Sequence, residues 1–176
     1  MRTRIVALAL SLIPFSWGPT VAAQSPASGA RESLKGLPGL FVLVEHLNPD
    51  AERDGLTDDV IRTAIEQRLR LAGIRVLANS EELFASNPAT AYLYINVQAE
   101  RGQMAGSNLY VYRIDVELNQ WLQSQVTGSE IPGVTWHRGA LGTARANNIR
   151  DLHHITLSLT DQFINDFLAA NPPTRY

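Results

Sequence analysis

The sequence contains no cysteine among its 176 residues. This absence excludes disulfide bonds, thiolate metal sites, a cysteine nucleophile and a lipid anchor attached through cysteine. The chain must therefore draw its stability from a hydrophobic core. A domain of about 150 residues can do so, because it buries roughly 68–70% of the surface that its unfolded chain exposes. Hydrophobic residues make up 45% of the chain, which favours a packed domain over disorder.

The sequence also lacks an excess of positive charge and a hydrophobic run of membrane-spanning length. Lysine and arginine number 15 against 17 aspartates and glutamates, which gives a formal charge of −2. Nucleic-acid binding usually needs a basic face, so this composition argues against it. The longest apolar run covers residues 5–15, whereas a helix needs about 20 such residues to cross a bilayer. We expect no nucleic-acid partner and no transmembrane span in the mature chain.

The N-terminus has the three-part pattern of a cleaved secretory signal peptide. Arg2 and Arg4 form a basic start, the apolar run follows, and Val21 and Ala23 occupy positions −3 and −1 of a cleavage site. We expect a signal peptide over residues 1–23, with cleavage after Ala23. The mature protein would then lie in the periplasm or outside the cell.

The first half of the mature chain predicts a linker followed by a βαβ order. Residues 24–36 are small and polar without periodicity, which indicates a flexible linker before a single domain at residues 37–172. Caps at Thr57 and Gly73 bound a clear amphipathic helix. The expected elements are a strand over 40–47, this helix over 57–72, a strand over 74–77 and a helical turn over 80–84.

The second half predicts a hairpin, a further strand and a long helix. Residues 92–101 and 109–122 alternate between apolar and polar side chains, as half-buried antiparallel strands do, and another strand is expected over 134–143. The last helix is expected over 148–170, capped by Asn147 or Asn148 and stopped by Asn171-Pro172-Pro173. Its apolar stripe consists of Ile149, Leu152, Thr156, Leu159, Phe163 and Phe167. This order predicts an α+β fold, a two-layer sandwich in which two helices pack on one face of a largely antiparallel sheet.

Asp50, Glu52, Asp54 and Gly55 imitate the start of a calcium-binding loop, in which carboxylates at alternate positions converge on the ion. The twelfth position requires a bidentate glutamate, but Ile61 stands there. The alternative interpretation is a solvated turn that prepares the start of the helix, and we expect no bound metal or cofactor.

Four other features could carry chemistry, and each has a plainer explanation. Asp151, His154 and Ser158 resemble a hydrolase triad, but a serine inside a regular helix has no oxyanion hole beside it. His46 and His137 lack metal-ligand spacing and would form a site only if the fold brought them to one acid. Gly139 and Gly142 lie in a strand pattern and indicate a close approach rather than a phosphate loop. Arg68 lies within the apolar arc of its helix, where it either extends to solvent or pairs with a carboxylate.

The remaining candidate is a surface on the polar face of the hairpin. Tyr92, Tyr94, Arg113 and Trp121 share this face, and tyrosine, tryptophan and arginine are enriched at binding hot spots. The alternative is ordinary cross-strand pairing on a solvated sheet.

Several stretches resemble a group of small exported bacterial proteins without an assigned activity. They are residues 55–57, 68–74, 93–97, 116–118, 135–136, 163–168 and 171–172. By element order alone the chain is also similar to envelope domains such as the N-terminal domain of the periplasmic Tol translocation protein and the lipopolysaccharide-assembly lipoprotein. These resemblances imply work by protein or lipid contact, although the cysteine of a lipid anchor is absent here.

Together these observations favour an exported, non-catalytic module of the bacterial envelope that binds a protein partner or itself. The alternative is a periplasmic domain that binds a small ligand or lipid in a cavity between sheet and helices. Such a site would need a volume of roughly 300 Å³ or more.

Overall fold

The computed structural model of the chain describes residues 28–78, 91–104, 107–145 and 148–173. The expected signal peptide over residues 1–23 and the expected helical turn over residues 80–84 lie outside these ranges. Within them, no helix is long and apolar enough to cross a bilayer.

The described residues form a four-stranded mixed sheet and four helices, which confirms the predicted α+β class. The strand order is β1-β2-β3-β4; β1 runs parallel to β2, and the other neighbours are antiparallel. The elements in chain order are α1 (Ser28–Glu32), β1 (Leu40–Val44), α2 (Pro49–Arg53), α3 (Asp58–Leu71), β2 (Ala91–Met104), β3 (Ser107–Gln123), β4 (Glu130–Arg145) and α4 (Arg150–Ala170).

The core lies between one face of the sheet and the long helices α3 and α4. The alternation predicted for the hairpin is confirmed, because every second residue is buried on this inner face from Leu93 to Ala99 in β2 and from Tyr110 to Leu118 in β3. These residues are Leu93, Ile95, Val97, Ala99, Tyr110, Tyr112, Ile114, Val116 and Leu118. The face turned the other way, called the outer face below, carries the intervening side chains.

The predicted ends of α3 are also confirmed. Thr57 accepts a hydrogen bond from the Val60 N–H (3.3 Å), and Gly73 follows the helix with a φ of +77°. The helix buries Ile61, Ile65 and Leu69. A capped helix with one apolar stripe therefore forms where its sequence predicts it.

Helix α4 differs from its prediction at the start. Its N-cap residue is Ile149 rather than Asn148, and Ile149 makes no side-chain cap hydrogen bond. The other predicted cap, Asn147, lies outside the described residues. The predicted stop is confirmed, since Asn171 is the C-cap residue. Two buried threonines within the helix satisfy their hydroxyls locally: Thr156 donates to the Leu152 carbonyl (2.8 Å) and Thr160 to the Thr156 carbonyl (3.0 Å).

The strand expected over residues 74–77 is wrong. The segment makes one isolated bridge, between Leu40 and Val76, and is held to β1 by hydrogen bonds from Leu40 N to Arg75 O (2.9 Å) and from Leu77 N to Leu40 O (2.8 Å). The first strand is also shorter than expected and ends at Val44. It stops there because the chain turns into α2, which Asn48 caps through its bond from the Ala51 N–H (2.9 Å).

The structure differs from the flexible linker expected over residues 24–36. From residue 28 onward this segment forms α1 and a turn, and Leu34 is completely buried. The side chain of Asn171 holds the turn, donating to the Leu34 carbonyl (3.0 Å) and accepting from the Gly36 N–H (2.7 Å). The composition of this segment indicates a linker. The contacts that order it come from the far end of the chain, so the local composition does not reveal them.

Candidate functional site

The structure gathers three of the four predicted surface residues at one end of the outer face. Tyr92 pairs with Asn119 across β2 and β3, and Trp121 lies two residues farther along β3 on the same face. Such diagonal neighbours lie about 7–8 Å apart, within reach of aromatic side chains. We call this region the aromatic end; its residues are Leu43, Tyr92, Tyr94, Trp121 and Val134.

Arg113 does not belong to the aromatic end. It pairs with Gln98 and Leu141 and lies eight residues before Trp121 on β3. Eight residues of extended strand correspond to about 26 Å. Sequence alternation assigned Arg113 to the correct face but carried no information about its distance along the strand.

The aromatic end carries large apolar side chains that are exposed to solvent. Leu43, Trp121 and Val134 are each between 41% and 49% exposed, and the two tyrosines are partly buried between them. The hydroxyl of Tyr94 donates to the Glu45 carboxylate. This bond, with a smaller contribution from burial, raises the pKa of Tyr94 to about 12. The phenol therefore stays protonated at physiological pH, and Tyr94 can act through its ring and its hydrogen bonds.

Farther along the outer face, Asp115 forms a cluster with two basic side chains. It accepts from Arg113 Nε (2.7 Å), and its other oxygen lies 2.9 Å from His137 Nε2. Gly139 makes room for this carboxylate, because a Cβ there would lie 2.8 Å from Asp115 Oδ1. The glycine therefore marks a close approach, as its place within a strand predicts, although a side chain rather than backbone approaches it.

Gly142 has the same role on the inner face. A Cβ at this position would lie 2.7 Å from the hydroxyl oxygen of Tyr112. Both glycines lie in β4 next to large side chains of β3. They leave room for side chains of the neighbouring strand β3. Neither glycine precedes a helix, as the glycines of a phosphate-binding loop do.

The two candidate histidines pair with different acids. His46 Nδ1 lies 3.0 Å from Asp58 at the start of α3, while His137 belongs to the Asp115 cluster on the outer face. The fold therefore does not bring them to a common carboxylate. Among the described residues, no group of three or more histidines, aspartates or glutamates is arranged to hold a metal ion.

Two of the three acids of the calcium-like segment, Asp50 and Asp54, bind side chains of the chain itself. Asp50 pairs with Arg53 on the short helix α2. Asp54 accepts hydrogen bonds from the Tyr110 hydroxyl (2.7 Å) and from Arg101 Nη2 (2.6 Å). The bond from Tyr110, followed by that from Arg101, lowers the pKa of Asp54 below its ordinary value. These carboxylates serve the fold rather than converging on one point.

The Tyr110→Phe substitution tests this network through its pH dependence. A carboxyl whose pKa is lowered by folding contributes stability above its unfolded pKa, and this contribution is lost as the pH falls through its folded pKa. Removing the Tyr110 hydroxyl should therefore lower the free energy of unfolding at about pH 7 and have less effect at an acidic pH, where Asp54 takes up its proton in the folded state. Urea unfolding at the two pH values measures the difference.

Tyr112→Phe is the matched control, since Tyr112 is also buried on β3 but does not bind Asp54. It should leave the pH dependence of unfolding unchanged. An equal loss of stability for Tyr110→Phe at both pH values would contradict the assignment of Asp54.

The triad-like residues of α4 remain separate. Asp151, His154 and Ser158 are exposed on the helix, and no hydrogen bond joins them within the described chain. The neighbouring His153 is partly buried, which lowers its pKa; the charges of His154 and Arg68 add to this shift. His153 is therefore held in its neutral form by packing.

Arg68 both extends to solvent and pairs with a carboxylate, the two alternatives that its position in the helix left open. Its guanidinium pairs with Asp161 and so joins α3 to α4. The Arg68 side chain is 39% exposed and that of Asp161 is 47% exposed, so the pair lies in solvent-accessible space. An exposed pair of this kind typically contributes about 0.2–1 kcal/mol.

A cleft of about 380 Å³ opens between the start of α3 and the start of α4. This volume exceeds the roughly 300 Å³ expected of a ligand site. Apolar and polar side chains share its wall; the lining residues are Asp54, Gly55, Leu56, Val60, Ile149, Arg150, His153 and His154. Sequence patterns gave no sign of the cleft, because its two walls are far apart in the chain.

A buried ionic cluster between α1, β4 and α4 was not predicted from the sequence. Asp166 accepts from Arg31 (2.9 Å), Arg138 (3.4 Å) and the indole N–H of Trp136 (3.0 Å). Arg138 also stacks over Trp136, with its guanidinium carbon 5.2 Å from the ring centroid. A signal was present: Asp166 lies three residues after Phe163, within the apolar stripe of the last helix.

Comparison with known proteins finds no matching family model and no matching curated protein. Among solved structures, the chain is similar to a PelC dodecamer from Paraburkholderia phytofirmans, with 16% identity, a TM-score of 0.41 and coverage of 73% of this chain and 86% of that one. A minor lipoprotein from Acinetobacter baumannii has 11% identity, a TM-score of 0.39 and coverage of 72% and 93%. Lipoprotein GNA1162 from Neisseria meningitidis has 17% identity, a TM-score of 0.37 and coverage of 73% and 99%. With TM-scores below 0.5, these likenesses do not assign the chain to a family.

Proposed function

We propose that the chain is an exported, non-catalytic module of the bacterial envelope that binds a protein partner through the aromatic end. The observation that carries the proposal is the exposure of Leu43, Trp121 and Val134 around Tyr92 and Tyr94. Tryptophan and tyrosine supply large, rigid contact area and are enriched at hot spots. An exposed apolar cluster on a sheet face is typical of an interaction site.

The other parts of the proposal have separate support. The N-terminal pattern supports export, and we propose cleavage after Ala23 and a single domain in the mature chain. The pairing of Asp54 and Asp115 with basic or phenolic partners supports a non-catalytic role, because these acids are already engaged in the fold. The separation of Asp151, His154 and Ser158 supports it as well.

Site-specific photo-crosslinking in the producing cells tests the contact. A photoreactive amino acid at position 121 should crosslink one envelope protein, while the same group at position 168 should not. Leu168 is a matched control because it lies on α4 and is 45% exposed, against 46% for Trp121. The partner identified in this way can then be purified for binding measurements.

With the purified partner, Trp121→Ala should weaken binding by about thirtyfold, the equivalent of about 2 kcal/mol for a hot spot. Leu168→Ala should leave the dissociation constant unchanged. Crosslinks of equal yield at both positions, or unchanged affinity of a folded Trp121→Ala variant, would contradict the proposal.

A second candidate function is the binding of a small ligand in the cleft between α3 and α4. Its volume of about 380 Å³ favours this alternative. Native mass spectrometry of the protein purified from its own cells would detect a bound molecule. Val60→Trp should fill the cleft and so displace a ligand bound there. If this variant loses a stoichiometric ligand, and if no protein crosslinks to position 121, the second candidate function is favoured.

A further inference from the structure

Strand β4 forms one edge of the sheet along its entire length. It pairs with β3 from Leu109 opposite Arg145 to Gln123 opposite Glu130, and no described strand lies on its other side. The opposite edge differs, because β1 has five residues and the segment around Arg75 hydrogen-bonds to it. The fold therefore has one long edge strand whose outer row of backbone groups is directed away from the sheet.

Two observations identify which backbone groups face this edge. The Thr135 carbonyl accepts from Ser33 Oγ (3.5 Å), and the His137 carbonyl accepts from Arg138 Nη1 (3.0 Å). Alternate residues of a strand direct their N–H and C=O groups to the same side. Gly139, Leu141 and Thr143 therefore present both groups to the edge.

The two halves of β4 are protected differently. The first half contains Pro132, a bulge opposite Leu118 and Asn119, and the contact with Ser33 of the segment after α1. Proline, bulges and covering segments are the devices by which proteins block an edge strand. Residues 139–144 have the sequence Gly-Ala-Leu-Gly-Thr-Ala, which contains none of these devices and no charge. We call residues 139–144 the open edge.

Two of the three basic or titratable side chains that flank the open edge are paired within the chain. His137 pairs with Asp115 on the outer face and Arg138 pairs with Asp166, whereas Arg145 is exposed at the far end. Leu141 is 78% exposed in the middle of the open edge. A second strand can therefore cover this leucine without meeting a like charge if its register keeps Arg145 away from His137.

We propose that a second copy of this chain binds the open edge, with the two β4 strands antiparallel about a two-fold axis at Ala140. In this register Leu141 of each copy lies opposite Gly139 of the other, beside the Asp115 carboxylate that occupies the space over this glycine, and His137 lies opposite Thr143. No pair in the register joins two charges of the same sign, whereas an axis at Leu141 would bring His137 opposite Arg145. A closed two-fold pair uses the same surface in both copies, as self-complementary dimers do.

A second copy is favoured over an unrelated peptide because the open edge is complementary to itself. Its small side chains allow close approach, and its backbone groups form an antiparallel ladder with their own symmetry mates, in which the His137 carbonyl also accepts from Arg138 of its own chain. Pairing would create a continuous eight-stranded sheet from two copies of the four-stranded one. This inference concerns the edge of the sheet and does not depend on the partner proposed for the aromatic end.

Sedimentation velocity of the mature chain over a wide range of concentration tests the dimer. The chain should reach the mass of two copies, and Leu141→Lys should weaken self-association at least tenfold, since it sets a charge into the uncharged ladder. Leu71→Lys is the matched control, because Leu71 is 80% exposed on α3. It should leave self-association unchanged.

A second variant keeps the test independent of the leucine. Thr143→Pro removes an N–H that faces the open edge and should also weaken the dimer, while circular dichroism confirms that the domain remains folded. Trp121→Ala should not change the mass, which separates this result from the proposed function. A chain that stays monomeric at every concentration would overturn the inference, as would a dimer that Leu141→Lys and Thr143→Pro leave intact.

Discussion

Phe163→Ala should lower the free energy of unfolding by about 3–5 kcal/mol, the usual cost of removing a large aromatic side chain from a core. Phe163 is completely buried on α4. Its ring meets Trp136 edge to face, with centroids 5.1 Å apart, and lies 6.2 Å from the ring of Phe167. Truncation would leave a cavity between helix and sheet that these rigid neighbours cannot fill. Urea denaturation of both proteins measures the loss.

Leu168→Ala is the control on the same helix, because Leu168 is 45% exposed. It also removes a large apolar side chain, but from an exposed position. Its effect on the free energy of unfolding should therefore remain within about 0.5 kcal/mol. A loss below about 1 kcal/mol for Phe163→Ala would mean that the stripe of α4 does not face the core.

Asp166→Ala should also be strongly destabilising, by about 3–5 kcal/mol, because it removes one partner of a buried ion pair. The side chain of Asp166 is 10% exposed and that of Arg138 is 12% exposed. Without the carboxylate, the guanidinium keeps its charge in a site that water barely reaches, and the Trp136 N–H loses its acceptor. Arg31 would lose the contact that ties α1 to α4.

Two further variants separate the effect of the Asp166 charge from that of its hydrogen bonds and its burial. Asp166→Asn keeps an acceptor for the indole N–H and should be less destabilising than alanine. Asp161→Ala removes a carboxylate from the exposed pair with Arg68 and should cost at most about 1 kcal/mol. Equal losses for Asp166→Ala and Asp161→Ala would show that burial does not govern the Asp166 cluster.

The predictable parts of the fold are those specified by neighbouring residues. The two-residue period of the hairpin, the Thr57 cap and the apolar stripe of the last helix are all local signals, and the structure confirms each. The run at residues 74–77 contains three apolar residues, two of them β-branched, yet it forms one bridge. Whether a short run joins a sheet depends on the partner edge, and local sequence does not describe that edge.

The parts that could not be predicted depend on residues far apart in the chain. Helix α1 is too short to be stable alone and exists because Leu34 is buried and Arg31 reaches Asp166. The aromatic end was partly predictable: alternation gave the face of Tyr92, Tyr94 and Trp121. The separation of Arg113 follows from the strand register, which the turn and the core set together.

The contacts of Asn171 impose an order on the completion of the fold. The amide that holds residues 34 and 36 lies 137 and 135 positions farther along the chain. Arg31 likewise precedes its partner Asp166 by 135 positions. Residues 28–36 are therefore fixed only after α4 is in place, and a variant that lacks α4 leaves them without their anchor. Order in this segment thus reports that α4 has docked.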